Sequence, residues 1–166
     1  AHLRGFQMAF VRLAGCSVGC PGCDTDYSAY ERLSIDEIVS QVEAITPKNF
    51  RDRWVWITGG EPTDHDLKPL LSSLKREGFS TALATSGTRR FIPPVDWLSV
   101  SPHSNKTAQL YGSEVKLVEG LNGLDPWSWI DENPDSKTDF MYRYVQPISD
   151  TDGSENAESL TVCLEF

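Results

Sequence analysis

Apolar and polar residues follow two different periods along the chain, and these periods predict helices and strands. Ser34 and Glu37 form a capping-box pattern, and the apolar residues after it recur at helical spacing and end before Pro47. A second helical pattern ends at Gly78, a residue type common just after a helix. Short apolar runs are typical of buried strands. The predicted strands are 6–13, 54–57, 81–84, 97–100, 114–118 and 141–145, and the predicted helices follow Ser34, cover 66–77 and start near 154.

Strands that alternate with helices predict an α/β fold with a mainly parallel sheet. A complete eight-stranded β/α barrel needs about 250 residues, so this chain of 166 residues is too short for one. We expect one domain over residues 1–166, with a loop or short irregular helix in the polar stretch from Asp125 to Asp139. The chain starts at Ala1 and stops in mid-pattern at Phe166, so we expect the natural chain to be longer.

The charge of the chain limits its partners. Fifteen Lys and Arg residues against 24 Asp and Glu residues give a net charge of −9, and no basic stripe is present. Binding to nucleic acid is therefore not expected. No apolar run approaches the ~18 residues that span a bilayer, and the first residues lack the apolar core of a signal peptide. We expect a cytoplasmic protein without a membrane partner.

Three of the four cysteines lie in one short loop. Cys16, Cys20 and Cys23 stand in the sequence GCSVGCPGCDT, whereas Cys163 is isolated on an apolar helical pattern. Thiolates bind zinc or iron–sulfur clusters, and glycines allow a loop to turn sharply around one point. This C-x3-C-x2-C loop therefore predicts a metal centre.

The spacing favours a 4Fe–4S cluster over zinc. A structural zinc site needs four ligands, commonly in two separated pairs, and no second pair is present. Three cysteines leave one iron of a 4Fe–4S cluster without a protein ligand, and that iron can bind S-adenosylmethionine (SAM). A zinc site completed by Cys163 or a histidine remains the alternative.

Polar or glycine-rich segments follow most of the predicted strands. In a parallel α/β sheet, ligands bind at the carboxyl ends of the strands, so these segments predict one site. Each also has a simpler interpretation. Thr58–Pro62 is either a SAM-binding segment or an ordinary turn, and Asp24–Asp26 either binds Mg²⁺ or forms an Asx turn. Arg12 binds either a substrate carboxylate or an internal acid, and Ser101–His103 either contacts SAM or is structural.

The ordered motifs resemble those of a known enzyme family. The cysteine loop and the GGEP segment together resemble motifs of the radical SAM superfamily. The series VRLAGCSVGCPGCDTDY, ITGGEP, TSGT, SVSPH, EVKLV and VQPIS resembles the 7-carboxy-7-deazaguanine synthases of that superfamily. The resemblance covers nearly the whole chain. It implies an incomplete, open β/α barrel of about six mostly parallel strands.

The resemblance also implies the roles of individual residues. It makes Cys16, Cys20 and Cys23 the cluster ligands and Thr25 the Mg²⁺ ligand. It places Arg12 and Thr58 against the substrate, with no catalytic side chain beyond the cofactor. The SAM-binding residues that it implies are Gly22, Cys23, Asp24, Gly60, Ser101, Pro102, His103, Gln146, Pro147, Ile148 and Ser149.

The implied activity is a lyase reaction of deazapurine (queuosine-type) biosynthesis. A radical derived from SAM abstracts hydrogen from the pterin substrate 6-carboxy-5,6,7,8-tetrahydropterin, and ring contraction releases ammonia to give 7-carboxy-7-deazaguanine. The resemblance also implies an electron donor such as flavodoxin and a homodimer. His103 departs from the family, which usually has lysine there. The family's terminal substrate segments would lie before Ala1 and after Phe166.

Two other functions remain open from the sequence. A radical SAM activase would abstract hydrogen from a glycine of a partner protein. A zinc-stabilised binding domain would have no catalytic activity. The first is tested by a pterin-dependent product and the second by metal analysis.

Overall fold

The computed structural model describes residues 2–21, 23, 25–26, 30–49, 52–90, 94–134, 139–148, 156 and 159. Two short 3-10 turns lie at Pro62–Asp64 and Leu121–Gly123. The helices and strands in chain order are β1 (Met8–Leu13), α1 (Ile35–Ile45), β2 (Trp54–Gly59), α2 (Lys68–Arg76), β3 (Ser80–Thr85), β4 (Trp97–Val100), β5 (Gly112–Val118), α3 (Pro126–Glu132) and β6 (Phe140–Gln146).

The six strands are adjacent in chain order, from β1 to β6. The pairings β1–β2, β2–β3, β4–β5 and β5–β6 are all parallel. In the part of the chain that the structure describes, β1 and β6 are edge strands and do not pair with each other. The prediction of an open α/β fold with about six mostly parallel strands is confirmed.

The chain divides into two compact units. The first unit comprises residues 3–85 and 91–98, and the second comprises residues 1–2, 86–90 and 99–166. The first unit holds β1, β2, β3 and the start of β4. The second holds the end of β4 together with β5 and β6. The single domain over residues 1–166 stays a prediction.

Two helices cover the parallel strands of the first unit. The predicted capping box is present, because Ser34 accepts a hydrogen bond from the Glu37 amide and the Glu37 carboxylate accepts one from the Ser34 amide. These bonds satisfy amide groups that the first turn of a helix leaves unpaired. Gly78 has a φ of +77° just after α2, as the sequence predicts. The core side chains include Val39, Val42, Val55, Ile57, Leu67, Leu70, Leu71 and Leu74.

Replacement of Leu74 tests this packing. Leu74 is 0% exposed on α2, and removing its methyl groups leaves a cavity that the neighbours fill only in part. We expect Leu74→Ala to lower the free energy of unfolding by about 2–5 kcal/mol in urea titration. The exposed Ser72 on the same helix provides the control, and Ser72→Ala should stay within about 0.5 kcal/mol. An unchanged midpoint for Leu74→Ala would contradict this assignment of the core.

The second unit contains a regular helix where the sequence predicted a loop or short irregular helix. α3 is regular over seven residues, because Asp125 caps it by accepting a hydrogen bond from the Ser128 amide and Pro126 occupies its first turn. Trp129 is 0% exposed, and its indole nitrogen donates to the Thr107 hydroxyl over 2.9 Å. The many polar residues of this stretch argued against a regular helix, although the apolar side chain of Trp129 is buried in it.

Other boundaries differ modestly from the predictions. β1 begins at Met8 rather than at residue 6, and β2 continues to Gly59. The described residues contain no helix between β3 and β4 or between β4 and β5, so the alternation of strands and helices is incomplete. Of the helix predicted from residue 154, the structure describes only residues 156 and 159, and Ser159 is helical. Cys163 lies outside the described residues. None of the helices in the described ranges has the length and apolar character needed to cross a membrane.

Candidate functional site

The loops after β1 and β2 are joined backbone to backbone in the first unit. Leu13 and Gly59 are register partners at the ends of these strands. The Gly60 amide donates to the Leu13 carbonyl over 2.8 Å, and the Glu61 amide donates to the Gly15 carbonyl over 3.2 Å. The start of the cysteine loop is therefore held against the Gly-Gly segment.

Gly60 is glycine because the cysteine loop occupies the space of a side chain. A Cβ atom at Gly60 would collide with the Gly15 carbonyl oxygen and lie 3.1 Å from the Cβ of Cys16. Gly59 has a φ of +113°, a backbone conformation that residues with a Cβ rarely adopt. Both glycines thus allow close contact between two loops of the chain itself.

The three cysteines lie in the described part of this loop. Cys16 and Cys20 are half-buried and Cys23 is exposed, and the Cys23 amide donates to the Cys20 carbonyl over 3.3 Å. Among the described residues, no three His, Cys, Asp or Glu side chains are placed to hold a metal ion. The chemistry of the donor set nevertheless fits an iron–sulfur cluster, since it offers three thiols on a loop with positive φ at Gly15 and Gly19. Their role as ligands stays a prediction.

Arg12 and Thr58, the two predicted substrate contacts, are direct register partners on β1 and β2. Arg12 is exposed, and its guanidinium carbon lies 5.6 Å from the centroid of the Phe10 ring. Within the described residues, no acidic side chain forms an ion pair with it. The internal salt bridge considered from the sequence is therefore not found there.

A groove of about 1040 Å³ lies in the first unit. The groove is lined by residues from β1, the cysteine loop, the segment after that loop, the end of β2 and the turn that follows β2. These include Arg12, Gly15, Thr25, Asp26, Gly59 and His65. The groove is thus bordered by a residue predicted to bind the substrate, by the residue predicted to bind Mg²⁺, and by part of the cysteine loop. Gly22 and Asp24 lie outside the described residues.

Glu61 has an internal role that the sequence did not reveal. It is 1% exposed, and its Oε1 accepts hydrogen bonds from the Thr63 amide, the Thr63 hydroxyl and the Thr85 hydroxyl at 3.0, 2.6 and 2.7 Å. From the sequence, the surrounding segment was either a SAM-binding segment or an ordinary turn. These bonds make the carboxylate a link between the turn after β2 and the end of β3.

The second unit carries the remaining predicted SAM contacts. Ser101, Pro102 and His103 follow β4, and the Ser101 hydroxyl donates to the Lys116 carbonyl over 3.4 Å. Pro102 is buried and His103 is half-buried. Gln146, Pro147 and Ile148 lie at and beyond the end of β6, and the Ile148 amide donates to the Ser159 hydroxyl over 2.9 Å. Ser149 lies outside the described residues.

Glu114 is a buried carboxylate of the second unit that the sequence analysis did not single out. It is 0% exposed on β5 and accepts from the His2 amide over 3.0 Å and the Ser99 hydroxyl over 2.8 Å. Burial raises the pKa of this carboxyl, but the two hydrogen bonds and the nearby Lys116 charge outweigh burial and leave its pKa lowered. An acidic residue within an apolar strand was the available signal, since such a group needs polar partners.

The chain is similar to known proteins in both sequence and structure. The model of the radical SAM superfamily matches residues 11–106. The 7-carboxy-7-deazaguanine synthase of Synechocystis sp. is 38% identical over 69% of this chain and 56% of its own length. The synthase of the same name from Haemophilus influenzae is 32% identical over 71% of this chain and 57% of its own length. The chain therefore spans a little over half the length of these curated relatives.

A solved structure is also similar to this chain. The crystal structure of QueE from Escherichia coli matches with a TM-score of 0.69 and 26% identity, over 97% of this chain and 80% of that one. This likeness supports the predicted fold class. The named relatives confirm the predicted resemblance to the 7-carboxy-7-deazaguanine synthases.

Proposed function

The chain belongs to the radical SAM superfamily, and we propose on that premise that it acts as a 7-carboxy-7-deazaguanine synthase. Its substrate would be 6-carboxy-5,6,7,8-tetrahydropterin, and its products would be 7-carboxy-7-deazaguanine and ammonia. The observation that carries this proposal is the pairing of Arg12 with Thr58 on strands that lead into the cysteine loop and Gly59-Gly60.

The cysteine loop would hold the cofactor. Cys16, Cys20 and Cys23 would be the thiolate ligands of a 4Fe–4S cluster, with SAM on the remaining iron. When bound, these groups supply one-electron chemistry that generates a radical at the substrate. The residues of the chain position the reactants and exclude water.

Arg12 would bind the carboxylate of the pterin. A guanidinium offers two parallel donors to a carboxylate, so it fixes the orientation of the ring as well as its charge. Arg12 is exposed on β1 and has no acidic partner in the described residues. Thr58, its neighbour across the strand pair, would donate or accept a further hydrogen bond.

Thr25 would contribute an oxygen ligand to Mg²⁺, which prefers carboxylate, hydroxyl and water oxygens. Thr25 and Asp26 border the same groove as Arg12, so an ion there would lie beside the bound substrate.

In the first unit, Cys23 and Gly60 would contact SAM, together with Gly22 and Asp24 of the cysteine loop. The family resemblance implies the same role for Ser101–His103, Gln146–Ile148 and Ser149. A flavodoxin-type electron donor, a homodimeric state and a cytoplasmic location complete the proposal.

An anaerobic assay with the reconstituted protein tests this function. Incubation with SAM, a reductant, Mg²⁺ and 6-carboxy-5,6,7,8-tetrahydropterin should give 7-carboxy-7-deazaguanine, detected by mass spectrometry. Arg12→Ala should lower kcat/KM at least about tenfold, since it removes a charge-assisted bond to the substrate. Arg76→Ala on α2 provides the control, because among the described residues the Arg76 guanidinium bonds only to Ser73 and Glu77. A cluster-loaded protein that makes no such product would contradict the proposal.

A further inference from the structure

Two side chains outside every predicted site fasten the start of the cysteine loop. Asp64 and His65 end the 3-10 turn that follows the Gly-Gly segment, and both reach back to the loop after β1. Asp64 accepts from the Ser17 amide through Oδ2 over 2.7 Å and from the Ser17 hydroxyl through Oδ1 over 2.8 Å. His65 Nε2 lies 3.0 Å from the Ala14 carbonyl oxygen. We call Asp64 and His65 together the loop clamp.

The hydrogen bonds of the loop clamp have defined donors and acceptors. Each oxygen of the Asp64 carboxylate takes one donor of Ser17, so the backbone and the side chain of Ser17 are fixed together. A carbonyl oxygen can only accept, so His65 must carry its proton on Nε2 when it bonds to Ala14. The two bonded residues flank Gly15 and Cys16, and the clamp therefore restrains the first cysteine from both sides.

The turn that presents the loop clamp is itself held in place. The Asp64 amide donates to the Glu61 carbonyl over 3.0 Å, and the His65 amide donates to the Pro62 carbonyl over 3.1 Å. The Glu61 carboxylate accepts a hydrogen bond from Thr63 within this turn and another from Thr85 on β3. Asp64 and His65 thus extend from a rigid support rather than from a free loop.

We propose that Asp64 and His65 are positioning residues that hold the Cys16 end of the cysteine loop in place before any cluster binds. A site ordered during folding does not lose binding free energy to loop ordering when the cluster arrives. This role rests on the proposed cluster ligands and is independent of the substrate.

The reactivity of the thiols in the reduced, cluster-free protein tests the proposal. The purified chain is alkylated with N-ethylmaleimide under anaerobic conditions, and the rate at each cysteine is read from its peptide by mass spectrometry. We expect Asp64→Ala to speed alkylation of Cys16 about tenfold, which corresponds to about 1.4 kcal/mol, and to affect Cys23 less. His65→Ala should act in the same direction.

A conservative variant and a control separate positioning from general destabilisation. Asp64→Asn retains an acceptor oxygen and should restore part of the protection of Cys16. Asp66→Asn alters an exposed carboxylate two residues away that bonds only to the Lys68 amide among the described residues, and it should leave all three rates unchanged. An unchanged Cys16 rate in Asp64→Ala and His65→Ala, or an equal increase in Asp66→Asn, would overturn the proposal.

A second measurement uses the loaded protein. After reconstitution, Asp64→Ala should bind less iron than Asp66→Asn at the same limiting iron concentration, whereas equal loading would count against a positioning role. The alkylation experiment needs no cluster. A wild-type protein that binds no cluster would therefore contradict the proposed function. The alkylation rates would still test whether the loop clamp positions Cys16.

Discussion

Replacing Cys16, Cys20 or Cys23 by alanine is expected to abolish both cluster binding and turnover. A 4Fe–4S cluster with three protein ligands has no spare thiolate, so each substitution leaves a second iron without a protein ligand. Iron and sulfide content after anaerobic reconstitution should fall from about four atoms of each per chain to a minor fraction. Product formation should fall below detection.

Cys163→Ala is the matched control for the three cysteine variants. The sequence places Cys163 on an apolar helical pattern, apart from the cysteine loop. Full iron content and activity are expected in Cys163→Ala. Loss of metal from Cys163→Ala as well, with zinc bound to the wild-type chain, would favour the zinc site that the sequence left open. Retention of iron in any variant of the cysteine loop would contradict the proposed ligand set.

Replacing Gly60 by alanine is expected to be the most damaging change outside the cysteines. The added Cβ would collide with the Gly15 carbonyl oxygen and meet Cys16 at 3.1 Å. Relief of this clash requires the two loops to separate, which breaks the bonds from the Gly60 amide to the Leu13 carbonyl and from the Glu61 amide to the Gly15 carbonyl. We expect Gly60→Ala to lose at least about 2 kcal/mol of unfolding free energy in urea and to bind little iron.

Gly78→Ala distinguishes this steric effect from a general effect of removing glycine. Gly78 has a φ of +77°, and no atom of the described residues other than its chain neighbours lies within 4 Å of an added Cβ. Alanine there therefore costs about 1–2 kcal/mol through backbone strain alone. Cluster loading of Gly78→Ala should equal that of the wild type. A Gly60→Ala protein with wild-type iron content would contradict the close contact between the two loops.

Local signals predicted a large part of the fold. The capping box at Ser34 depends on residues three positions apart, and the inward leucines of α2 repeat within a few turns, so both are visible in the sequence. The start of α3 was also visible, because Asp125 followed by Pro126 is a typical helix beginning. The predominance of polar residues after it outweighed that signal.

The sequence motifs predicted individual residues of the site but not the contacts between them. The sequence indicated Arg12 and Thr58 separately, but their pairing depends on the register of two strands that are 46 positions apart at these residues. The loop clamp could not be predicted from local sequence, because Asp64 bonds to Ser17 across 47 positions and His65 bonds to Ala14 across 51. Tertiary contacts of this kind are set by the packing of whole elements.

Electron paramagnetic resonance of the reconstituted, reduced protein tests the central claim most directly. The spectrum is recorded anaerobically with and without SAM, using Cys16→Ala as the blank. We predict a signal of a reduced 4Fe–4S cluster whose shape changes when SAM is added, because SAM would bind to an iron that the three cysteines leave without a protein ligand. A protein that takes up zinc in place of iron, or a cluster signal that SAM leaves unchanged, would contradict the assignment of this chain as a radical SAM enzyme.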